Sequence, residues 1–285
     1  MYLTSFSFPS ADREFDYILR IKRTCYDSYY PFGILGRSEP IVLDFTPITF
    51  LSGGNGSGKS TALNVIAEKL GIARKTLFNR GAFFDDYTKL CKYKISFEDP
   101  MDSRMITSDD VFDYMLGLRM VNEGIDARRE ELFKDYLNTK YAGFRLDSIE
   151  DYEKLKKANL ARRASQSQYV KRNVIINARE HSNGESALKY FSESLGENGL
   201  YLLDEPENSL SPDKELELMK LIEDSVRFFG CQFIIATHSP FMLSMREAKI
   251  YDLDENPIAV KRWNEIPNVR TYYEFFKLHE GAFKA

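Results

Sequence analysis

The sequence predicts an α/β fold with a largely parallel sheet, split by a helical insertion. Three observations predict it. An apolar run over 40–51 leads directly into a glycine-rich loop and then into the helix-spaced segment 60–70. Two further short runs, 199–203 and 231–236, are apolar without alternation, as strands buried on both faces are. Between these halves, residues of about 76–180 are richer in charge and follow a helical pattern.

Each element has its own signal. Residues 2–8 alternate and read as an edge or outer strand. Residues 40–51 read as one strand. In 60–70, Ala62, Leu63, Ile66, Ala67 and Leu70 fall at helical spacing, and Gly71 supplies a C-terminal stop. In the middle, 109–121 and 128–141 read as two helices parted at Asn122-Glu123-Gly124, and 147–165 as a third, without the sustained heptads of a coiled coil. After 199–203, helix 213–229 precedes strand 231–236. Residues 248–253 and 258–262 read as a closing hairpin around Asn256-Pro257. The aromatic stripe of 271–280 reads as a helix docked by core packing.

Composition bounds the class. A chain of 285 residues is long enough for one to two domains. It is 43% hydrophobic and 29% charged, an ordinary soluble globular composition, and 14% aromatic, which argues against disorder. The net charge of −4 excludes a wholesale polycation but leaves room for a local basic surface. Cys25, Cys91 and Cys231 form no metal-ligand spacing and fit a reducing compartment. No signal-like N-terminus or membrane-length apolar stretch occurs, so a cytoplasmic protein without membrane contact is expected.

Gly53-Gly54-Asn55-Gly56-Ser57-Gly58-Lys59-Ser60 fits G-x-x-x-x-G-K-[ST] without a gap, after a strand and before a helix. In such a loop Gly53, Asn55, Gly56 and Gly58 fold backbone N–H groups around phosphate oxygens, at a helix N-terminus that also favours an anion. Lys59 would reach the β- and γ-phosphates, Ser60 would ligate Mg²⁺, and Thr61 would touch the α-phosphate. The strand 200–203 ends in Asp204-Glu205. The first carboxylate suits a metal, and the second suits a general base for an attacking water.

With these residues in view, Asp204-Glu205-Pro206 followed by Asn208-Ser209-Leu210-Ser211-Pro212 resembles the Walker B and D-loop segments of ABC-type ATPases. Ala236-Thr237-His238-Ser239-Pro240 resembles their switch-histidine segment, and Ser182-Asn183-Gly184-Glu185-Ser186 a diverged signature motif, with Asn183 and Glu185 in place of the usual Gly and Gln. The wording is similar to the soluble branch: chromosome-maintenance and recombination ATPases, the overcoming-lysogenization-defect family, and short stand-alone bacterial AAA/ABC ATPases linked to phage defence.

The resemblance implies a P-loop NTPase fold, an ABC-ATPase-like core with an antiparallel β lobe and a helical insertion subdomain. One ATPase domain would fill 1–285, with 1–75 and 181–285 as nucleotide-binding core and 76–180 as insertion. It implies ATP and Mg²⁺ as ligands, with Ser60 and Asp204 on the metal and Glu205, His238 and Lys59 catalytic. It also implies a head-to-tail homodimer in the ATP state, where Ser182 and Gly184 meet the nucleotide in trans and Ser209 and Ser211 lie at the seam. The family's Mg²⁺-contacting Gln has no counterpart between Lys59 and Gln166; Ser108 or Asp109 could substitute. Tyr26, Tyr29, Tyr30 and Phe32 are candidates for an adenine platform or, equally, ordinary loop and core aromatics.

Residues 154–179 carry eight Lys and Arg and no acid, leading up to the signature segment. A solvated helix face and a DNA- or RNA-binding surface are both open readings. The expected function is a soluble ATPase acting on a partner, an effector or nuclease protein among the options, in a DNA-related or phage-defence process. A transporter's ATPase subunit and an ATP-binding sensor with little hydrolysis are the alternatives.

Overall fold

The computed structural model describes residues 1–21, 25–96, 100, 102–141 and 183–284. The chain divides into two compact units, Met1–Phe112 with Asn183–Ala285, and Asp113–Ser182.

The first unit holds two sheets. Strands β1 (Leu3–Ser7), β2 (Val42–Asp44) and β4 (Lys92–Ile95) form an antiparallel sheet in the order β2-β1-β4. β1 is therefore the central strand of this sheet rather than an edge, with Leu3 and Phe6 buried. The second sheet has the order β5-β6-β7-β3-β8-β9, from β3 (Ile48–Ser52), β5 (Asp102–Thr107), β6 (Gly199–Asp204), β7 (Gln232–Ala236), β8 (Lys249–Asp252) and β9 (Ala259–Lys261). It is parallel except for β9, which closes a hairpin with β8.

The apolar run 40–51 is two strands, not one. Between them the chain turns at Phe45-Thr46-Pro47, where Thr46 Oγ1 donates to the Ile48 carbonyl at 2.6 Å. The run thus serves both sheets. Gln232 ties them together: its buried Oε1 accepts from the Tyr2 and Leu3 amides at 2.8 and 2.9 Å, and its Nε2 donates to the Leu3 carbonyl at 2.8 Å.

Helix α1 spans Ala11–Arg20, capped by Ser10, whose side chain accepts from the Arg13 amide. α2 is Lys59–Leu70, ending at Gly71 in the left-handed region as its sequence announces. α3 is Phe84–Leu90. Residues 84–107, read from the sequence as part of a helical insertion, instead supply α3, β4 and β5. β4 pairs with β1 and β5 with β6, so this segment is integral to both sheets.

α4 runs unbroken from Ser108 to Tyr141. The interruption expected at Asn122-Glu123-Gly124 does not occur. A single helix glycine costs about 1 kcal/mol against alanine, too little to break a helix of this length. The expected helix at 147–165 and the basic segment 154–179 lie outside the described residues.

α5 (Asn183–Ser194) and α6 (Pro212–Phe229) pack together, followed by α7 (Pro240–Leu243) and α8 (Pro267–Leu278). α8 corrects an expectation. Val269 is its buried residue, while Tyr272, Tyr273, Phe275 and Phe276 are all about half exposed, so its aromatics are not core. Among the described residues no helix is long and apolar enough to cross a membrane.

Candidate active site

The strand order decides where the site forms. β6, β7 and β3 are adjacent and parallel, so their C-terminal ends lie along one edge. Asp204 ends β6, Ala236 ends β7, and Ser52 ends β3 and opens the glycine-rich loop. Ligands of open parallel sheets bind at such edges.

The loop needs its glycines for two separate reasons. At Gly53, φ is +151° and a Cβ would stand 2.6 Å from Ser57 Oγ. At Gly58, φ is +94° and a Cβ would press into Leu35 and Ile34 at 2.8 and 3.0 Å. Lys59 opens α2 and curls back, its Nζ donating to the carbonyls of Gly53 and Gly54 at 3.0 Å each. The Gly54 amide donates to Asp254 Oδ2 at 2.6 Å. Burial lowers the Lys59 pKa, and Glu205, Asp204, Asp254 and Glu207 oppose this by their charge.

Ser60 Oγ donates to Asp204 Oδ1 at 3.0 Å, joining the phosphate loop to the end of β6. Burial pushes the Asp204 carboxyl up to about 6, reinforced by Glu205 and Glu207 and opposed by Ser60 and Lys59. Glu205 takes a left-handed conformation (φ +49°), and Asn208 Nδ2 donates to its Oε2 at 2.8 Å. His238 Nε2 lies 3.6 Å from Glu205 Oε1, is buried, and has no hydrogen-bond partner.

These residues fit a nucleoside triphosphate with Mg²⁺. The loop is a backbone cradle, Lys59 is a buried cation, and the orphaned His238 nitrogen is a polar atom awaiting a partner. Four carboxylates interact with Lys59, so a polyphosphate entering here needs an accompanying cation to offset repulsion. Among the described residues no group of three or more His, Cys, Asp or Glu forms a ready-made metal site. A cation would draw on Ser60, Asp204 and the phosphates themselves.

Other expected residues fall as follows. Asn55 and Gly56 are exposed in the loop. Thr61 Oγ1 lies 3.1 Å from Tyr30 OH. Of the four aromatic candidates, Phe32 is core, stacked on Tyr17, while Tyr26 and Tyr29 pack on Phe83. Arg37–Val42 and Asn256–Ile258 line a cavity of about 530 Å³, and Arg37 Nη2 donates to the Leu253 carbonyl, next to Asp254.

Gly184 lies in the first turn of α5, against Lys214 of α6 at 3.2 Å for an added Cβ. This helix begins at Asn183, earlier than the expected start after Glu185. Ser182 lies outside the described residues. Ser108 and Asp109 merely open α4. The residue in register with Asp204 is Thr107, which accepts no role in the sequence reading. Its amide and hydroxyl donate to Asp110 Oδ2 at 2.8 and 3.0 Å, and Asp110 is buried where Asp109 is exposed. Sequence reasoning also missed Asp254 and Glu207; their signal was only a carboxylate just past a strand end.

Several solved structures are similar at low identity. An SMC head domain from Thermotoga maritima is 13% identical, covering 92% of this chain and 99% of that one at a TM-score of 0.41. Stu0660 of Streptococcus thermophilus is 16% identical, covering 79% and 73%, at 0.40. A dimeric ATP-binding cassette in a post-hydrolysis state, bound to ADP and Pi, is 18% identical, covering 75% and 87%, at 0.36. At these scores the fold rests on the chain's own strand order and loop geometry. No curated protein matches the sequence. A family profile described as "AAA domain, putative AbiEii toxin, Type IV TA system" matches residues 82–244. That span begins after the phosphate loop, which is thus an independent observation. Because the match covers more than half of the sequence, including β6, β7 and the His238 segment, the chain belongs to this AAA-domain family.

Proposed function

We propose that the protein hydrolyses ATP at this site and uses ATP-driven head-to-tail dimerisation to act on a partner. The observation that carries the reading is the Ser60–Asp204 bond beside Lys59, with Glu205 and His238 3.6 Å apart at the same sheet edge. Polyphosphate would exchange with the Gly53 and Gly54 carbonyls for the Lys59 ammonium. The amides of Asn55, Gly56, Gly58, Ser60 and Thr61 would hold the remaining oxygens. The cavity lined by Arg37–Val42 and Asn256–Ile258 would give the nucleoside room. Ser60 and Asp204 would hold Mg²⁺, which supplies charge neutralisation for the phosphates.

Glu205 would take the proton of the water that attacks the γ-phosphorus, and His238 Nε2 would donate to the γ-phosphate. Asn208 holds the second Glu205 oxygen, which leaves Oε1 as the free basic edge. The start of α5, with Gly184, would face the nucleotide of a second copy, as would Ser182, and Ser209 and Ser211 would lie at the seam. The family description refers to a type IV toxin–antitoxin system, which fits a defence-related setting; a DNA-related process with an effector or nuclease partner is proposed from the resemblance of the motifs. The basic segment 154–179 is the proposed nucleic-acid contact.

The test is ATP turnover with and without Mg²⁺ and DNA, in the parent and in Glu205→Gln, with mass measured by light scattering. Glu205→Gln should bind ATP, turn over at least about 100-fold more slowly, and accumulate as a dimer. Parent-like turnover by the variant removes Glu205 as the base.

A further inference from the structure

The segment that carries His238 is not held by its own strand. It leaves β7 at Ala236 and passes Thr237, His238 and Ser239 before α7 begins. Its side-chain fixings centre on Glu207, in the single 3-10 turn Pro206–Ser209 that follows the two carboxylates; the Thr237 amide also donates to the Leu51 carbonyl at 3.3 Å, and Asn268 Nδ2 donates to the His238 carbonyl at 3.2 Å. One oxygen, Glu207 Oε1, accepts from Thr237 Oγ1 at 2.6 Å, from the His238 amide at 2.8 Å and from the Ser239 amide at 3.3 Å. Three donors converging on one charged acceptor make a strong anchor, because charge-assisted bonds are about twice as strong as neutral ones. The other side is held by Glu215 of α6, whose Oε2 accepts from Ser239 Oγ. Ser239 Oγ in turn caps α7 by accepting from the Phe241 and Met242 amides.

The same turn also holds Glu205. Asn208, the residue after Glu207, donates to Glu205 Oε2 at 2.8 Å. Two adjacent side chains thus fix two groups that approach each other at 3.6 Å from different strands. The His238 imidazole itself makes no hydrogen bond through Nε2. The His238 backbone is held on both sides, its amide by Glu207 Oε1 at 2.8 Å and its carbonyl by Asn268 Nδ2 at 3.2 Å.

We infer that Glu207 is a positioning residue: it sets where the His238 imidazole stands relative to Glu205, and so links the Pro206–Ser209 turn to the histidine segment. The inference rests on the proposed ATPase reading for its catalytic consequence, though not for its geometry. Movement of the turn, for example by a second copy packing on Ser209 and Ser211, would be passed to His238 through this carboxylate.

The experiment compares Glu207→Ala, Glu207→Gln and Glu207→Asp with the parent. Steady-state ATP turnover is read together with the imidazole resonances of histidine-labelled protein, where three histidines are assignable through His238→Asn. Glu207→Ala should lower kcat by about 10- to 100-fold, the usual cost of a misplacement near 1 Å, with KM for ATP within about threefold. Glu207→Gln keeps an acceptor oxygen at the Oε1 position and should stay within about threefold of the parent. The His238 resonance should move in the Ala variant and keep its place in the Gln variant. Glu207→Asp, shorter by one methylene, should behave like Ala and decides the matter if Ala does not fold.

An unmoved His238 resonance in both Ala and Asp overturns the inference, as does a loss carried by KM alone or an unrescued Gln variant. If the parent itself hydrolyses no ATP, the proposed function falls, while the resonance comparison still decides the role of Glu207.

Discussion

Asp204→Asn should make the nucleotide-free protein more stable while damaging its proposed chemistry. The Asp204 carboxyl is raised from 3.8 to about 6, chiefly by burial. Moving from 3.8 to about 6 corresponds to about 3 kcal/mol between protonation states. The sign follows from linkage. The native state holds this proton more tightly than the unfolded chain does, so the stabilising contribution is complete below about pH 4 and is lost as pH rises through about 6. At neutral pH the ionised side chain is a net cost, which Ser60 and Lys59 offset only in part. Asparagine removes the charge and keeps an oxygen to accept from Ser60. The expected gain is about 1–3 kcal/mol at pH 7.5, or a melting temperature higher by roughly 2–6 °C for a chain of this size. Thermal melts followed by circular dichroism in EDTA without nucleotide measure it. The gap between variant and parent should shrink as pH falls through about 6 and close only below about pH 4. Added ATP with Mg²⁺ should raise the melting temperature of the parent and barely move the variant. A variant less stable than the parent at pH 7.5, or a gap that does not change with pH, would show that burial is not what governs Asp204.

Two further perturbations separate the loop from the scaffold. Gly58→Ala forces a left-handed alanine whose Cβ meets Leu35 and Ile34, so it should cost about 1–3 kcal/mol and abolish saturable binding of a fluorescent ATP analogue; retained binding would mean the loop tolerates a Cβ there. Tyr201→Phe removes a hydroxyl that accepts from the Gly196 amide at 2.6 Å and donates to Asp102 at 3.2 Å. It should cost about 1–2 kcal/mol in chemical denaturation and leave ATP turnover unchanged, because Tyr201 lies early in β6, away from the Asp204 end.

The parts of the site that were legible in the sequence share one property: their chemistry is local. The phosphate loop must be glycine-rich where φ is positive, and an apolar strand ending in Asp204-Glu205 is visible in six residues. What was not legible depends on pairing. β5 carries Asp102, Ser103 and Arg104 before its buried Met105 and Ile106, so it lacks the apolar run that marks β6 and β7, and only its partner β6 makes it a strand. β4 is exposed throughout and is defined by β1. Thr107 and Asp110 gain meaning from the register that sets Thr107 beside Asp204. The aromatics of α8 misled for the opposite reason. Their spacing suits a core helix, but the core already has its wall, and the helix docks through Val269 alone among its buried residues.

The sheet order also bears on how the site comes into being during synthesis. β3 and its loop are complete by residue 60, yet both strands that flank β3 lie far downstream, β7 at 232–236 and β8 at 249–252. Parallel pairings of such sequence separation carry a large loop-closure cost and form slowly. A nascent chain therefore carries β3 without either of its flanking strands for most of its elongation. The proposed nucleotide capture would await the last parallel strand, so in refolding experiments ATP binding should report completion of the fold rather than its onset.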